Sequence, residues 1–209
     1  MPNGTAAPAT DEQKAPGNAR TLALIPLGIA LNLALGTLVH TLKLPVYVDA
    51  VGTIAVTLLA GLRAGILVGV ASFLLGGILT NPVLPWFSGT QAAIAIYTHL
   101  VARRGGFRTW LLTILAGIGL GIVAGVVSAP VIVGLFGGIT GSGASLIVAF
   151  LLASGKSVLK SVVLSGLAAE PLDKTIQCLL AIWILRGLPR SLLTSFQGGS
   201  LRENGFVLN

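Results

Sequence analysis

The sequence predicts an all-α integral membrane protein: a six-transmembrane-helix bundle with an additional apolar segment near residues 144–165, re-entrant or held in the outer leaflet. Three observations predict it. First, only 9% of the 209 residues are charged while 54% are apolar, and mean hydropathy is +0.94. A soluble domain carries roughly 25% charged residues and has no use for so much apolar surface. Second, two apolar runs, Val46 to Leu62 and Ala64 to Leu79, are parted by Arg63 alone inside Gly61-Leu62-Arg63-Ala64-Gly65. A run of about 17 apolar residues at 1.5 Å each just crosses a hydrocarbon core roughly 25–30 Å thick, so the pair reads as a membrane hairpin with Arg63 at its wet end. Third, the 28 glycines exceed the usual share of about 7%, as close helix packing in lipid favours.

The elements follow in order. Residues 1–19 are rich in Pro, Ala, Asn, Gly and Thr without an apolar period, and read as a disordered cytoplasmic tail. They lack the basic and apolar regions of a signal peptide, so no cleavage is expected. The membrane domain covers 20–190. Its first span, about Arg20 to Leu42, holds Pro26, the polar Asn32 and His40, and Ala30 and Ala34, which lie four apart on one face. The hairpin supplies the second and third spans. After Asn81-Pro82-Val83-Leu84-Pro85 comes the fourth, Trp86 to Ala102, with Trp86 placed as an interfacial aromatic.

The fifth span starts near Thr109, carries Gly117, Gly121 and Gly125 at intervals of four, weakens at Ala129-Pro130 and ends by Phe136. A polar loop, Gly137 to Gly143, leads to the apolar stretch Ala144 to Ser165, which Ser154-Gly155-Lys156 and Lys160 interrupt. The sixth span, Glu170 to Leu188, opens on Glu170-Pro171-Leu172-Asp173, a helix N-terminus signal. Residues 191–209 form a cytoplasmic C-terminal tail.

The arginines set the orientation. With the N-terminus inside and six crossings, Arg20, Arg63, Arg103, Arg104, Arg108, Arg186, Arg190 and Arg202 all fall on the cytoplasmic side. A full crossing by 144–165 would move the last three outside. The basic balance, net +7, therefore reads as topology: the charges lie between spans and form no stripe with interleaved aromatics as nucleic acid would need. The expected location is the plasma membrane, multi-pass, with both termini cytoplasmic.

No catalytic chemistry assembles. Ser154-Gly155-Lys156-Ser157 resembles the end of a phosphate-binding loop, but Phe150 stands where the earlier glycine is required. His40 and His99 lack the spacing of a metal pair, and Ser128 and Ser165 lack a nucleophile-elbow context. The lone Cys178, in an apolar run, excludes an intrachain disulfide and reads as a small buried hydrophobe. No enzyme, cofactor or metal site is expected.

Polar residues gather instead at the non-cytoplasmic end. Asp49, Asn81, Trp86, Gln91, Glu170, Asp173 and Lys174 are the candidate substrate-binding residues, with Thr140 and Ser142 nearby and Tyr47 in the same loop as Asp49. Ionisable groups in a membrane span are costly and usually face a wet cavity or a partner. A helix-cap role competes for Asp49, Glu170 and Asp173, since caps are common at helix starts. Two carboxylates, Lys174 and the flat face of Trp86 would suit a polar ring system with some positive charge.

The order and spacing of these features resemble a known family. Ala30-Leu31-Asn32-Leu33-Ala34 in the first span, Leu44-Pro45-Val46-Tyr47-Val48-Asp49-Ala50-Val51-Gly52-Thr53 opening the second, the Arg63 hairpin, and Glu170-Pro171-Leu172-Asp173-Lys174 opening the last are similar to the substrate-binding S components of energy-coupling factor (ECF) transporters. The likeness covers roughly Arg20 to Arg190. It implies a non-enzymatic subunit that captures a vitamin-like micronutrient from outside and works with a transmembrane T component and two cytosolic ATPase subunits. In that family the small-residue face of the first helix docks the T component, and here it maps onto Ala30 and Ala34. Two other classes remain: a membrane-embedded sensing subunit for a separate signalling partner, since only about 20 residues follow the last span, and a stand-alone secondary transporter. The transporter would show internal repeats and ionisable residues in mid-helix.

Overall fold

A computed structural model describes residues 16–189 together with Leu193 and Phe196. Among these residues it contains seven α-helices and one 3-10 turn, with no strand. They are α1 (Pro16–Thr41), α2 (Val51–Ala60), α3 (Leu62–Leu79), the 3-10 turn Leu84–Phe87, α4 (Ser88–Arg103), α5 (Trp110–Phe136), α6 (Ala144–Ala153) and α7 (Val158–Arg186). The tails expected over 1–19 and 191–209 fall largely outside the described residues, and α1 already begins at Pro16.

Among the described residues, three helices are long and apolar enough to cross a membrane: Thr21–Thr41 in α1, Leu62–Leu79, and Trp110–Phe136. Their outward faces are apolar too. On α5, Leu111, Leu115, Ile118, Ile122 and Val126 are exposed along one stripe where a soluble helix would carry charge. A continuous apolar exterior of this kind fits association with a membrane.

Glycine makes the close crossings. A Cβ on Gly52 of α2 would meet the Gly28 carbonyl of α1, and one on Gly65 of α3 would meet Thr57 of α2. Gly117 and Gly121 of α5 lie against the backbone of Thr175 and Pro171 of α7, and Gly125 faces the Glu170 side chain. The four-residue glycine spacing thus becomes the groove into which α7 packs. The core that results joins Val51, Ile54 and Leu58 of α2 to Ile94 of α4, Leu120 of α5 and Cys178, Ile182 and Leu185 of α7.

The element boundaries correct three expectations. The run from Val46 is not helical until Val51, which leaves α2 only 10 residues, about 15 Å, long. The preceding strap, 42–50, is held out of the helix by Pro45 and by Val48, whose φ of 49° lies in the left-handed region. A single residue, Gly61 (φ 89°), joins α2 to α3, with Arg63 exposed in the first turn of α3. The last helix does not start at Glu170: α7 begins at Val158 and runs through Pro171. Proline costs a helical hydrogen bond there, and the close approach of α5 at Gly121 packs the site from outside.

The stretch 144–165 is split between α6, which at 10 residues is too short to span, and the first turns of α7. The two form a hairpin, tied where the Ser165 hydroxyl donates to the Ala144 carbonyl at 3.2 Å. Ser157, the last residue of the phosphate-loop look-alike, caps α7 by accepting from the Lys160 amide.

Candidate functional site

The ends of α1, α3 and α5 meet the starts of α2 and α4 at one end of the bundle, and the middle of α7 passes beneath them. Between them lies a cavity of about 90 Å³ lined by Tyr47, Asp49, Gln91, Ser142, Glu170 and Lys174 among others. A wider space of about 320 Å³ adjoins it and shares His40, Tyr47, Asp49, Phe73, Asn81, Leu84 and Ser142. The strap 42–50 and the 140–143 loop close over it: Lys43 Nζ donates to the Gly141 carbonyl at 3.2 Å, and Gly143 has no side chain to obstruct the Leu44 carbonyl.

The strap is shaped by side chains from other helices. Asp173, fully buried in α7, accepts at Oδ1 from the Tyr47 amide (2.8 Å) and the Val48 amide (2.9 Å). Gln177 accepts from the Ala50 amide at 2.8 Å and donates to Asp173 Oδ2 at 2.7 Å. On the other side Asn32 of α1 accepts at Oδ1 from the Gly52 amide at 2.7 Å, with the Thr53 amide at 3.4 Å, and donates to the hydroxyls of Thr53 (2.9 Å) and Ser72 (3.1 Å). Thr53 then donates to Gln91 Oε1 at 2.8 Å, and Gln91 Nε2 donates to the Asp49 carbonyl at 3.2 Å. The first turn of α2 is therefore capped by Asn32 from α1. Its own N-cap residue, Ala50, makes no side-chain cap.

This removes the cap explanation for the acidic residues. Asp49 precedes Ala50 and leaves the cap to Asn32, while Glu170 and Asp173 sit well inside α7. Their charge is organised around Lys174. Its ammonium donates to Asp173 Oδ2 at 2.6 Å and lies 3.5 Å from Asp49 Oδ1 and 3.7 Å from Glu170 Oε2. It also stands 5.5 Å from the centre of the Tyr47 ring. Asp173 is saturated by four donors. Asp49 Oδ1 and Glu170 Oε2 are buried with no hydrogen-bond partner.

Of the candidates named from the sequence, Asp49, Asn81, Gln91, Glu170 and Lys174 all line this cavity. Asp173 does not; it is spent on holding the strap. Trp86 is also elsewhere. It sits 58% exposed on the 3-10 turn, which instead turns Phe87 inward to stack on Phe136 at 6.1 Å. The aromatic walls are Tyr47, Phe73 and Phe87. Asn32, Thr53 and Gln177 support the site without a sequence signal beyond polarity in an apolar run. Ala30 and Ala34 are exposed on the outward face of α1, opposite the buried Gly28 and Asn32.

The opposite end is basic. Arg63, Arg103, Arg104 and Arg108 are exposed there, and Arg186, at the end of α7, lies 4.3 Å over the Trp110 ring at the start of α5. No protein-family model matches the chain, and neither a curated protein nor a solved structure is significantly similar to it.

Proposed function

We propose that this chain is the substrate-capture (S) subunit of an ECF-type, ATP-driven importer of a vitamin-like micronutrient, multi-pass in the plasma membrane. In this reading the crossings are α1, α2 with its strap, α3, α4, α5 and the C-terminal part of α7. The α6–α7 hairpin lies in the outer leaflet, and both termini are cytoplasmic. The observation that carries it is the strapped cavity with buried carboxylate oxygens that lack a hydrogen bond, at the end of the bundle away from the arginines. Buried acceptors without donors cost about 1–3 kcal/mol each, a cost that a ligand's donors would relieve. A positive-inside orientation puts that cavity outside, where an importer must capture.

Two further features support a binding subunit rather than a self-sufficient machine. Ala30 and Ala34 form a small-residue face left open on α1, as a T component would need for close helix approach. α3 and α5 have no charged residue in their middles to carry ions across, and the mid-helix charges of α7, Glu170, Asp173 and Lys174, are engaged with one another and with the strap.

The test is recovery of the tagged chain from its native membranes under mild detergent. A T component and two ATPase subunits are expected to come with it. Recovery of a kinase instead, or of the chain alone with uptake activity intact, would refute the assignment.

A further inference from the structure

Resting on the capture reading, the cavity also specifies its ligand. We propose that it takes a small planar organic cation bearing N–H donors, such as a protonated amidine or aminated heterocycle, held by Glu170 and Asp49. Three carboxyls, Asp49, Glu170 and Asp173, converge on the one ammonium of Lys174. One ammonium can balance only one of the three carboxyls, which leaves an acidic excess that a proton or a cation must offset. The other titratable groups facing the cavity are His40 and Tyr47, and Lys174 is the sole Lys or Arg among its described lining residues. An anionic ligand would enter against that excess; a cation would complete it.

The free valences say the same at atomic detail. Asp173 is saturated, Gln91 is bonded at both ends, and Lys174 is committed to Asp173. What is left without a hydrogen bond is acceptor: Glu170 Oε2, on a side chain only 9% exposed, and Asp49 Oδ1, which meet Lys174 only as ion pairs at 3.7 and 3.5 Å. Such atoms want N–H donors. Beside the polar Asn81, Thr90, Ser128, Thr140 and Ser142, the walls formed by Phe73, Leu84, Phe87, Ile94 and Ile132 are apolar and partly flat, which suits a ring rather than a hydrated metal ion that keeps its waters.

The test uses three compounds of one shape: benzamidine (cation, donors), benzamide (neutral) and benzoate (anion). Each is titrated calorimetrically, up to millimolar concentration, into the full chain in lipid nanodiscs. Benzamidine is expected to bind at least roughly tenfold tighter than the other two, and Glu170→Gln to lose roughly tenfold and the discrimination with it. Trp86→Ala, outside the cavity, should bind as wild type. Absence of benzamidine binding, equal binding of benzamide or benzoate, or an unchanged affinity in a normally melting Glu170→Gln protein would overturn the proposal. If Glu170→Gln fails to fold, Asp49→Asn makes the same comparison. Failure of this pattern in a chain that still recovers its ATPase partners refutes the cation class alone. The pattern in a chain that recovers none refutes the importer reading and leaves the ligand class standing.

Discussion

Asn32 is the residue on which the site's shape most depends. One amide caps α2, fixes Thr53 and Ser72, and through Thr53 orients Gln91 at the cavity wall. Asn32→Ala leaves the Gly52 amide and two hydroxyls without that partner, at about 1–3 kcal/mol for each group left unsatisfied. It is expected to lower the melting temperature by several degrees in a thermal scan, and a wild-type melt would show that water replaces the amide. Asp173→Asn should act on the strap: with an amide in place of the carboxylate the Lys174 pairing weakens, and faster proteolysis within 42–50 is the expected readout. At this scale the sequence was partly legible. Polarity in an apolar chain is conspicuous, so Asp49, Gln91, Glu170 and Lys174 stood out. Trp86 misled because interfacial and ligand-stacking aromatics look alike in sequence, and only the rotation of the 3-10 turn separates Trp86 from Phe87.

Among elements, the pairing of α5 with α7 is set by glycine. A Cβ at Gly121 would strike the backbone of Glu170 and Pro171, which cannot move without displacing the helix, whereas nothing lies within 4 Å of one at Gly134. Gly121→Ala should therefore destabilise strongly and disturb Glu170, while Gly134→Ala should be neutral or gain up to about 1 kcal/mol from helix propensity. Melting curves of the pair decide it, and equal behaviour would refute the close crossing. On α1 the logic reverses. Ala30→Trp and Ala34→Trp fill an open face, so folding and benzamidine binding should persist while partner recovery is lost. Helix existence was readable from hydropathy; helix limits were not. Val51 rather than Val46 starts α2 because Asp173 and Gln177, more than 120 residues away, take the strap's amides. Pro171 looks like a helix start in sequence because the packing that tolerates it comes from α5.

For the whole molecule, the decisive feature is polarity along the bundle axis: arginines at one end, a carboxylate-lined cavity at the other. Six crossings with the arginines inside would turn the cavity outward, as capture for import requires. The sole cysteine, Cys178, is buried, so introduced cysteines can be labelled against a silent background. Ser142 reports the cavity end, and Arg104, exposed beyond α4, reports the basic end. In intact cells a membrane-impermeant maleimide should modify Ser142→Cys and spare Arg104→Cys until the membrane is opened. Modification of Arg104→Cys with protection of Ser142→Cys would place the cavity in the cytoplasm and contradict a role in capture from outside.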